Sequence, residues 1–259
     1  MEEKKIRIKK IIGLALVIIA VGMGAIKIGS FLPTIGALDT PANTDISMYY
    51  INHAMEDTHA QNIVTAVLAD YRSFDTLFET CVMLLSGVAV MVILSDKKKE
   101  KPLNNPTALE SKHIATFGSS LMDGAFRIVM PIILIYGIYV LFHGEVSLGG
   151  GFQAGALISC AYLLDRIIPS FDIINRNSKE ETGLIIAASG TLLYVITGII
   201  PMFNDGRFLE FGKLPFAWET IADLHADGIL MIEIGVTICV AGVIITILEA
   251  VLERTDFND

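Results

Sequence analysis

Charge is scarce in this chain. Only 18% of its 259 residues are charged, against 53% that are hydrophobic. A soluble domain needs more charge than that to cover its surface. The three cysteines, Cys81, Cys160 and Cys239, stand far apart inside apolar runs. They offer neither metal-ligand spacing nor a disulfide framework, and they read as buried small hydrophobes. No Cys pair, His cluster or Ser-His-Asp arrangement supports a membrane enzyme acting on a lipid or small molecule, and no cofactor or resident metal is expected. The glycine-rich run near residue 150 is not followed by Gly-Lys-Ser/Thr, which excludes a phosphate loop. A net charge of −9 argues against a nucleic-acid partner.

What the chain does have is long apolar runs, and a mean hydropathy of +0.60. About 20 helical residues cross the hydrocarbon core of a bilayer. Runs at about 11–28, 76–94, 126–142, 148–168, 183–202 and 228–251 meet that length. The fold class is therefore all-α: a polytopic integral membrane protein of about six transmembrane helices. The first run follows Lys4, Lys5, Arg7, Lys9 and Lys10, as in a signal peptide, but its length and Lys27 at its end favour a retained helix. A polar loop is expected over 30–58. A short amphipathic stretch over 60–69, with Ile63, Val64, Val67 and Leu68 at helical spacing, reads as a helix lying at the interface.

The polar segment 102–124, with Pro102, Asn104, Asn105 and Pro106, divides the chain. It separates a two-helix module (1–101) from a four-helix module (125–259), a 2+4 arrangement. Placing the amino terminus in the cytoplasm puts the basic leader, Lys97–Lys101, Lys112, Arg127, Arg166, Arg176, Lys179 and Arg254 inside. Lys27, Arg207 and Lys213 then fall outside. Both termini are thus expected in the cytoplasm.

Carboxylates within apolar spans are costly and usually functional. Glu79 and Glu233 are two such residues. Glu79 belongs to the cluster Asp70, Arg72, Asp75, Thr76, Glu79. Asp75 and Glu79, four apart, share a helix face, where proton and hard-cation binding compete. The simpler alternatives are Asp75 as an N-cap and Arg72 fixing the loop through Asp70 or Asp75. For Glu233 the alternative is a structural hydrogen bond. Glu249 reads as snorkelling to the inner interface. His143, His225, Asp223 and Asp227 read as solvated or interfacial groups at the outer edge rather than as ion-handling ones. The segment Gly149-Gly150-Gly151-Phe152-Gln153-Ala154-Gly155 opens the fourth span and favours close helix packing with a tight turn.

The run Asp70-Tyr71-Arg72-Ser73-Phe74-Asp75-Thr76-Leu77-Phe78-Glu79, after Asn62-Ile63-Val64, resembles the carboxy-terminal region of the large A subunit of Mrp-type sodium/proton antiporters. The same module occurs as a small subunit of membrane-bound hydrogenases. From about Phe126 onward, His143-Gly144, the Gly149–Gly155 motif and Glu233-Ile234-Gly235-Val236 resemble the B subunit, MnhB. Glu145 and Leu148 depart from that family's pattern, standing where a second His and a Pro are usual.

The resemblance implies a non-catalytic subunit of a monovalent cation/proton antiport complex in a prokaryotic cell membrane. Asp70, Arg72, Asp75, Thr76, Glu79 and Glu233 would lie near a cation/proton path that holds Na⁺ only transiently, and Asn62, His143 and Glu145 would contribute from the outer face. It implies partners too: other Mrp-type subunits, with or without a hydrogenase-like redox arm. A purely structural packing subunit is the alternative reading.

Overall fold

The computed structural model describes residues 2–32, 36–37, 40–95, 120–167, 180–217 and 220–255, with the side chains at 2–12, 41–42, 95, 120–123, 166–167, 180 and 252–255 set aside. The Lys97–Lys101 cluster, Lys112, Arg176, Lys179 and most of the expected 102–124 linker lie outside these residues. The described residues form helices and turns, in two compact units, 1–49 and 50–259.

The first unit holds α1 (Glu2–Phe31), α2 (Pro41–Thr44) and the start of α3 (Ile46–Thr58). The apolar part of α1, Gly13–Phe31, is long enough to cross a membrane, and none of it is buried within the chain. The structure corrects the polar loop expected over 30–58, because 41–44 and 46–58 are helical. Its apolar residues Met48, Ile51 and Met55 are diluted by Asn52, His53, Glu56 and Asp57, which hides the helical pattern.

The second unit holds α4 (Ile63–Thr65), a π-helical turn over Ala66–Tyr71, α5 (Ser73–Ser95), α6 (Ser120–Phe142), α7 (Gly151–Ile167), α8 (Glu180–Ile199) and α9 (Ile221–Thr255). Short 3₁₀ turns at Ile200–Asn204 and Phe211–Lys213 link α8 to α9. Among the described residues five helices are long and apolar enough to span: parts of α1, α5, α6, α8 and α9. The sixth expected span corresponds to α7, which has 17 residues and packs between α6 and α9. That is near the lower length limit for a membrane crossing.

Helix α9 is the hub. In its apolar span 67% of residues are buried, against 17% in α5 and 22% in α6. Small residues let two neighbours approach it closely. On α8, Gly183, Ala187, Gly190 and Tyr194 face Thr246, Gly242, Cys239 and Gly235 of α9 in antiparallel order. A Cβ on Gly190 would lie 2.4 Å from the Cys239 nitrogen, and one on Gly242 would lie 2.4 Å from the Ala187 nitrogen. On α7, Gly151 and Gly155 meet Glu233–Val236 and Thr237–Val240 in parallel order. In lipid, where apolar surface gives little preference for helix over tail, such backbone proximity and interhelical hydrogen bonds hold helices together.

Helix α5 is fixed at its start by Tyr194, whose hydroxyl donates to the Ser73 carbonyl at 2.6 Å in a buried contact. Tyr194→Phe removes that bond while keeping the ring. It is expected to lower stability by about 1 kcal/mol, read as an earlier melting transition of the detergent-solubilised chain.

The cysteine expectation holds for one residue of three. Cys239 is buried, whereas Cys81 and Cys160 are exposed on the outer surface of the bundle. Inside a membrane such a surface meets lipid or another subunit, so an apolar run does not by itself imply burial within the chain.

Candidate functional site

The segment before α5 is anchored by Asn62. Its Oδ1 accepts from the Val64 amide at 3.1 Å, capping α4, and its Nδ2 donates to the carbonyls of Gly144 (3.0 Å) and Ser147 (2.7 Å) and to the Thr65 hydroxyl (3.0 Å). The Asn62 amide donates to the Glu145 carbonyl at 2.9 Å, and the Thr65 hydroxyl donates to the Gly144 carbonyl at 2.7 Å. Two stretches more than 80 residues apart are thereby stapled together. Asn62 thus holds the backbone of the 143–147 turn.

Beyond α4 the chain widens into the π turn. The Arg72 amide bonds the Val67 carbonyl at 2.8 Å, five residues back. The Thr76 hydroxyl reaches the Leu68 carbonyl at 2.6 Å and ties the start of α5 to this turn. Such π segments recur at functional sites. The helical stretch expected over 60–69 takes the form of α4 and the π turn. Its small residues Ala60, Thr65, Ala66 and Ala69 are buried, while Ile63, Val64 and Leu68 point outward.

The acidic cluster splits three ways. Asp70, nearly buried, bonds His225 of α9, Oδ1 to Nδ1, at 2.8 Å. Arg72 pairs with Asp75, its Nε 2.6 Å from Oδ2, in an exposed contact. An ion pair that open contributes at most about 1 kcal/mol. Glu79, one turn further along α5, is exposed. Asp75 and Glu79 share a face as expected, but that face lies on the surface of the chain beside Phe78 and Val82 rather than in its interior. Helix α5 begins at Ser73, so Asp75 sits in the first turn and is not the N-cap.

His225 is a correction to the sequence reading. Gly228 looks like the start of the last span, yet α9 begins at Ile221, so Asp223, His225 and Asp227 are helical. His225 is paired with Asp70 rather than solvated. Asp223 does lie at an exposed edge, where its Oδ1 is 3.0 Å from His59 Nδ1.

Glu233 lies more than three turns into α9 and is only 7% exposed. Its carboxylate rests against two glycines. A Cβ on Gly144 would stand 3.1 Å from Oε2, and one on Gly150 would stand 3.0 Å from Oε1. Gly150 has φ +121°, a conformation that side chains rarely adopt, and its amide bonds the Val140 carbonyl at 3.2 Å. The glycine motif therefore does more than tighten a turn, because it leaves room for a carboxyl group. Glu233 Oε2 is shielded from solvent and has no hydrogen-bond partner among the described residues. An ionised carboxylate in that setting needs a proton or a cation to offset the cost of burial.

Phe152 is half-buried against the core around α9. Gln153 opens onto a groove of about 440 Å³ between α6 and α7, lined also by Tyr136, Val140 and Leu148. His143 stacks on Tyr139 with ring centroids 4.8 Å apart. Glu145 lies in the turn near both Glu233 and Asp227. Burial, and then the Asp227 charge, push its carboxyl above the usual value of 4.5. The protonated form is thus favoured in the folded chain. Its contribution to stability is present below the ordinary value and is lost as pH rises through the raised one. Glu145→Gln is expected to flatten the fall in melting temperature between acid and neutral pH.

Glu249 does not snorkel. It is 2% exposed and hydrogen-bonded to the Tyr162 hydroxyl of α7, with Asp165 also buried on that helix. Only the apolar flanks of Glu249 and Asp165 are legible in the sequence; the pairing with Tyr162 depends on the α7–α9 seam.

Residues 121–246 match the family described as a domain related to the MnhB subunit of the Na⁺/H⁺ antiporter, and residues 10–110 match the MbhE family, described as the E component of MBH. The chain is 32% identical over 127 residues to the putative antiporter subunit mnhB2 of Staphylococcus haemolyticus, covering 48% of this chain and 87% of that protein. The mnhB2 of Staphylococcus aureus is 31% identical, covering 47% and 86%. Among solved structures, the archaeal membrane-bound sulfane sulfur reductase complex has a chain that aligns with TM-score 0.61 and 28% identity, covering 95% of this chain and 97% of that one. A chain of the Mrp complex from Dietzia sp. DQ12-45-1b shares the fold, with TM-score 0.62 and 24% identity over 92% of this chain and 25% of its own length. With its apolar spanning helices and a relative matched over most of its length, this multi-pass membrane chain belongs to the MnhB family of antiporter subunits.

Proposed function

We propose that this chain is a subunit of a multi-subunit monovalent cation/proton antiport complex and forms part of the ion path without catalysing bond chemistry itself. The observation that carries the reading is Glu233. It is a carboxylate well inside a spanning helix, with a shielded oxygen and glycines making room for it. Intramembrane carboxylates of this kind mark ion and proton routes. The sequence relatives named as antiporter subunits support the class of complex.

In this reading the two modules, 1–101 and 125–259, are neighbours joined through Asn62, and both termini lie in the cytoplasm. Glu79, Asp75 and Arg72 line the chain's outward surface, so the path they serve runs between this chain and a partner subunit. Thr76 and Asp70 hold that surface in place, through Leu68 and His225 respectively. Either an antiporter assembly or one carrying a redox arm accommodates the arrangement, since the sulfane sulfur reductase complex contains a chain of this fold.

The test is removal of the chain from its host's membranes. Sodium-dependent proton flux in everted vesicles should be lost, and should return when the chain is supplied on a plasmid. Full flux without it would reject the assignment. The structural reading, that the chain only packs its neighbours together, is favoured by the close α8–α9 seam. It predicts that acid-to-amide substitutions leave flux unaltered wherever the complex assembles.

A further inference from the structure

Resting on the reading above, we propose that Glu233 and Gln153 form a binding site for a monovalent cation of sodium's size, entered from the groove between α6 and α7. Glu233 is the charged ligand and the Gln153 amide oxygen the neutral one.

The two side chains come from different helices and converge. Glu233 belongs to α9 and Gln153 to the first turn of α7. A Cβ on Gly150 would lie 3.0 Å from Glu233 Oε1 and 3.5 Å from Gln153 Oε1, so both oxygens reach one spot beside that glycine. With φ +121°, position 150 disfavours any side chain that would fill the space. On the other side of the carboxylate, Glu233 Oε2 rests against Gly144, shielded from solvent and without a hydrogen-bond partner among the described residues. Among those residues no Lys or Arg pairs with Glu233 either. A carboxylate buried in this way needs a counter-charge, and what stands next to it is a second oxygen.

The groove gives the pair an entrance. Gln153 lines it together with Leu148 and Gly149, at the membrane edge where α6 ends at Phe142 and α7 begins at Gly151. Gln153 is exposed there while Glu233 is buried, so the two oxygens lead from the groove inward. Carboxylate, amide and water oxygens are the ligands that hard cations take. A volume of about 440 Å³ admits the waters that would complete the ion's shell. Of the two side chains only Glu233 is ionisable, so a monovalent ion neutralises the site, whereas a divalent one would leave a buried positive charge. When the ion leaves, a proton takes the same carboxylate, and occupancy by one excludes the other.

The test uses the purified complex that contains the chain. Dicyclohexylcarbodiimide reacts with protonated carboxyls in apolar surroundings, and its adduct on Glu233 is read by mass spectrometry. Sodium should protect Glu233 saturably, and choline at the same ionic strength should not. Gln153→Leu should raise the half-protecting sodium concentration several-fold. Gln153→Glu keeps an oxygen at the position and should leave that concentration unchanged or lower it. Gln153 is exposed, so both variants are expected to assemble; if either does not, the sodium dependence of the wild type decides. Labelling indifferent to sodium would overturn the proposal, as would equal protection in Gln153→Leu and wild type. Loss of protection in Gln153→Glu would overturn it as well, because the Gln153 amide N–H would then be the group that serves Glu233. So would the absence of any adduct on Glu233 without sodium, since an ion-free carboxyl beside the groove should be protonated and reached. Labelling reads occupancy and not transport. Sodium-indifferent labelling alongside flux lost on removal of the whole chain would therefore reject the cation site and leave the ion-path reading standing.

Discussion

Gly190→Val is expected to abolish the folded form of this chain. A Cβ on Gly190 would lie 2.4 Å from the Cys239 nitrogen and 2.5 Å from the Gly235 carbonyl oxygen. Both are backbone atoms of α9, so no rotamer change can relieve the clash. The helices must move apart along the whole row from Gly183 to Tyr194, and Tyr194 then loses its hold on Ser73. Overpacking usually costs about 1–3 kcal/mol. Here, with rigid backbone on the other side, about 3 kcal/mol or more is expected. Gly137→Ala is the control, because its added Cβ would meet Ile158 and Leu157 at an ordinary 3.4 Å. It should be neutral or slightly stabilising, as alanine favours helix over glycine. Yield and melting temperature in detergent separate the two variants.

Asn62→Ala is expected to cost about 2–3 kcal/mol. It removes the α4 cap and the donors to Gly144, Ser147 and Thr65. A cap contributes about 1 kcal/mol, and a buried acceptor left without its donor costs a comparable amount. The loss falls short of the sum of the separate bonds because Thr65 still serves the Gly144 carbonyl. The 143–147 turn should loosen while the α8–α9 seam stays intact. Protease cleavage within that turn should therefore rise several-fold in Asn62→Ala, with little change in Thr65→Val, which loses one donor.

The spanning helices were legible because long, mostly apolar runs such as 76–94 and 228–251 need only composition and length to be read. The start of α9 was not, because Asp223, His225 and Asp227 look like loop residues until Asp70 and His59 are placed opposite two of them. The π turn was hidden for a related reason. Ile63, Val64, Val67 and Leu68 fit ordinary helical spacing, and the departure shows only in which carbonyl the Arg72 amide reaches. At the site, Glu233 and the glycine motif stood out separately in the sequence. That the glycines cradle the carboxylate depends on a left-handed Gly150 and on Asn62 holding the turn from a distant segment, and neither is a local property. The same limit applied to Glu79. Its apolar neighbours do not tell which surface it faces, and in the structure Phe74, Phe78 and Val82 share its exposure. In a membrane protein apolar surface reaches lipid or partner subunits as readily as its own core.

The most direct measurement is sodium-dependent proton flux through vesicles holding the purified complex, with subunit composition checked, comparing wild type with Glu233→Gln and Glu79→Gln. An intact complex carrying Glu233→Gln should lose roughly tenfold or more of its flux, as expected when a proton-transfer group is removed, and Glu79→Gln should lower it as well. Wild-type flux from intact complexes carrying either substitution would contradict an ion path through this chain.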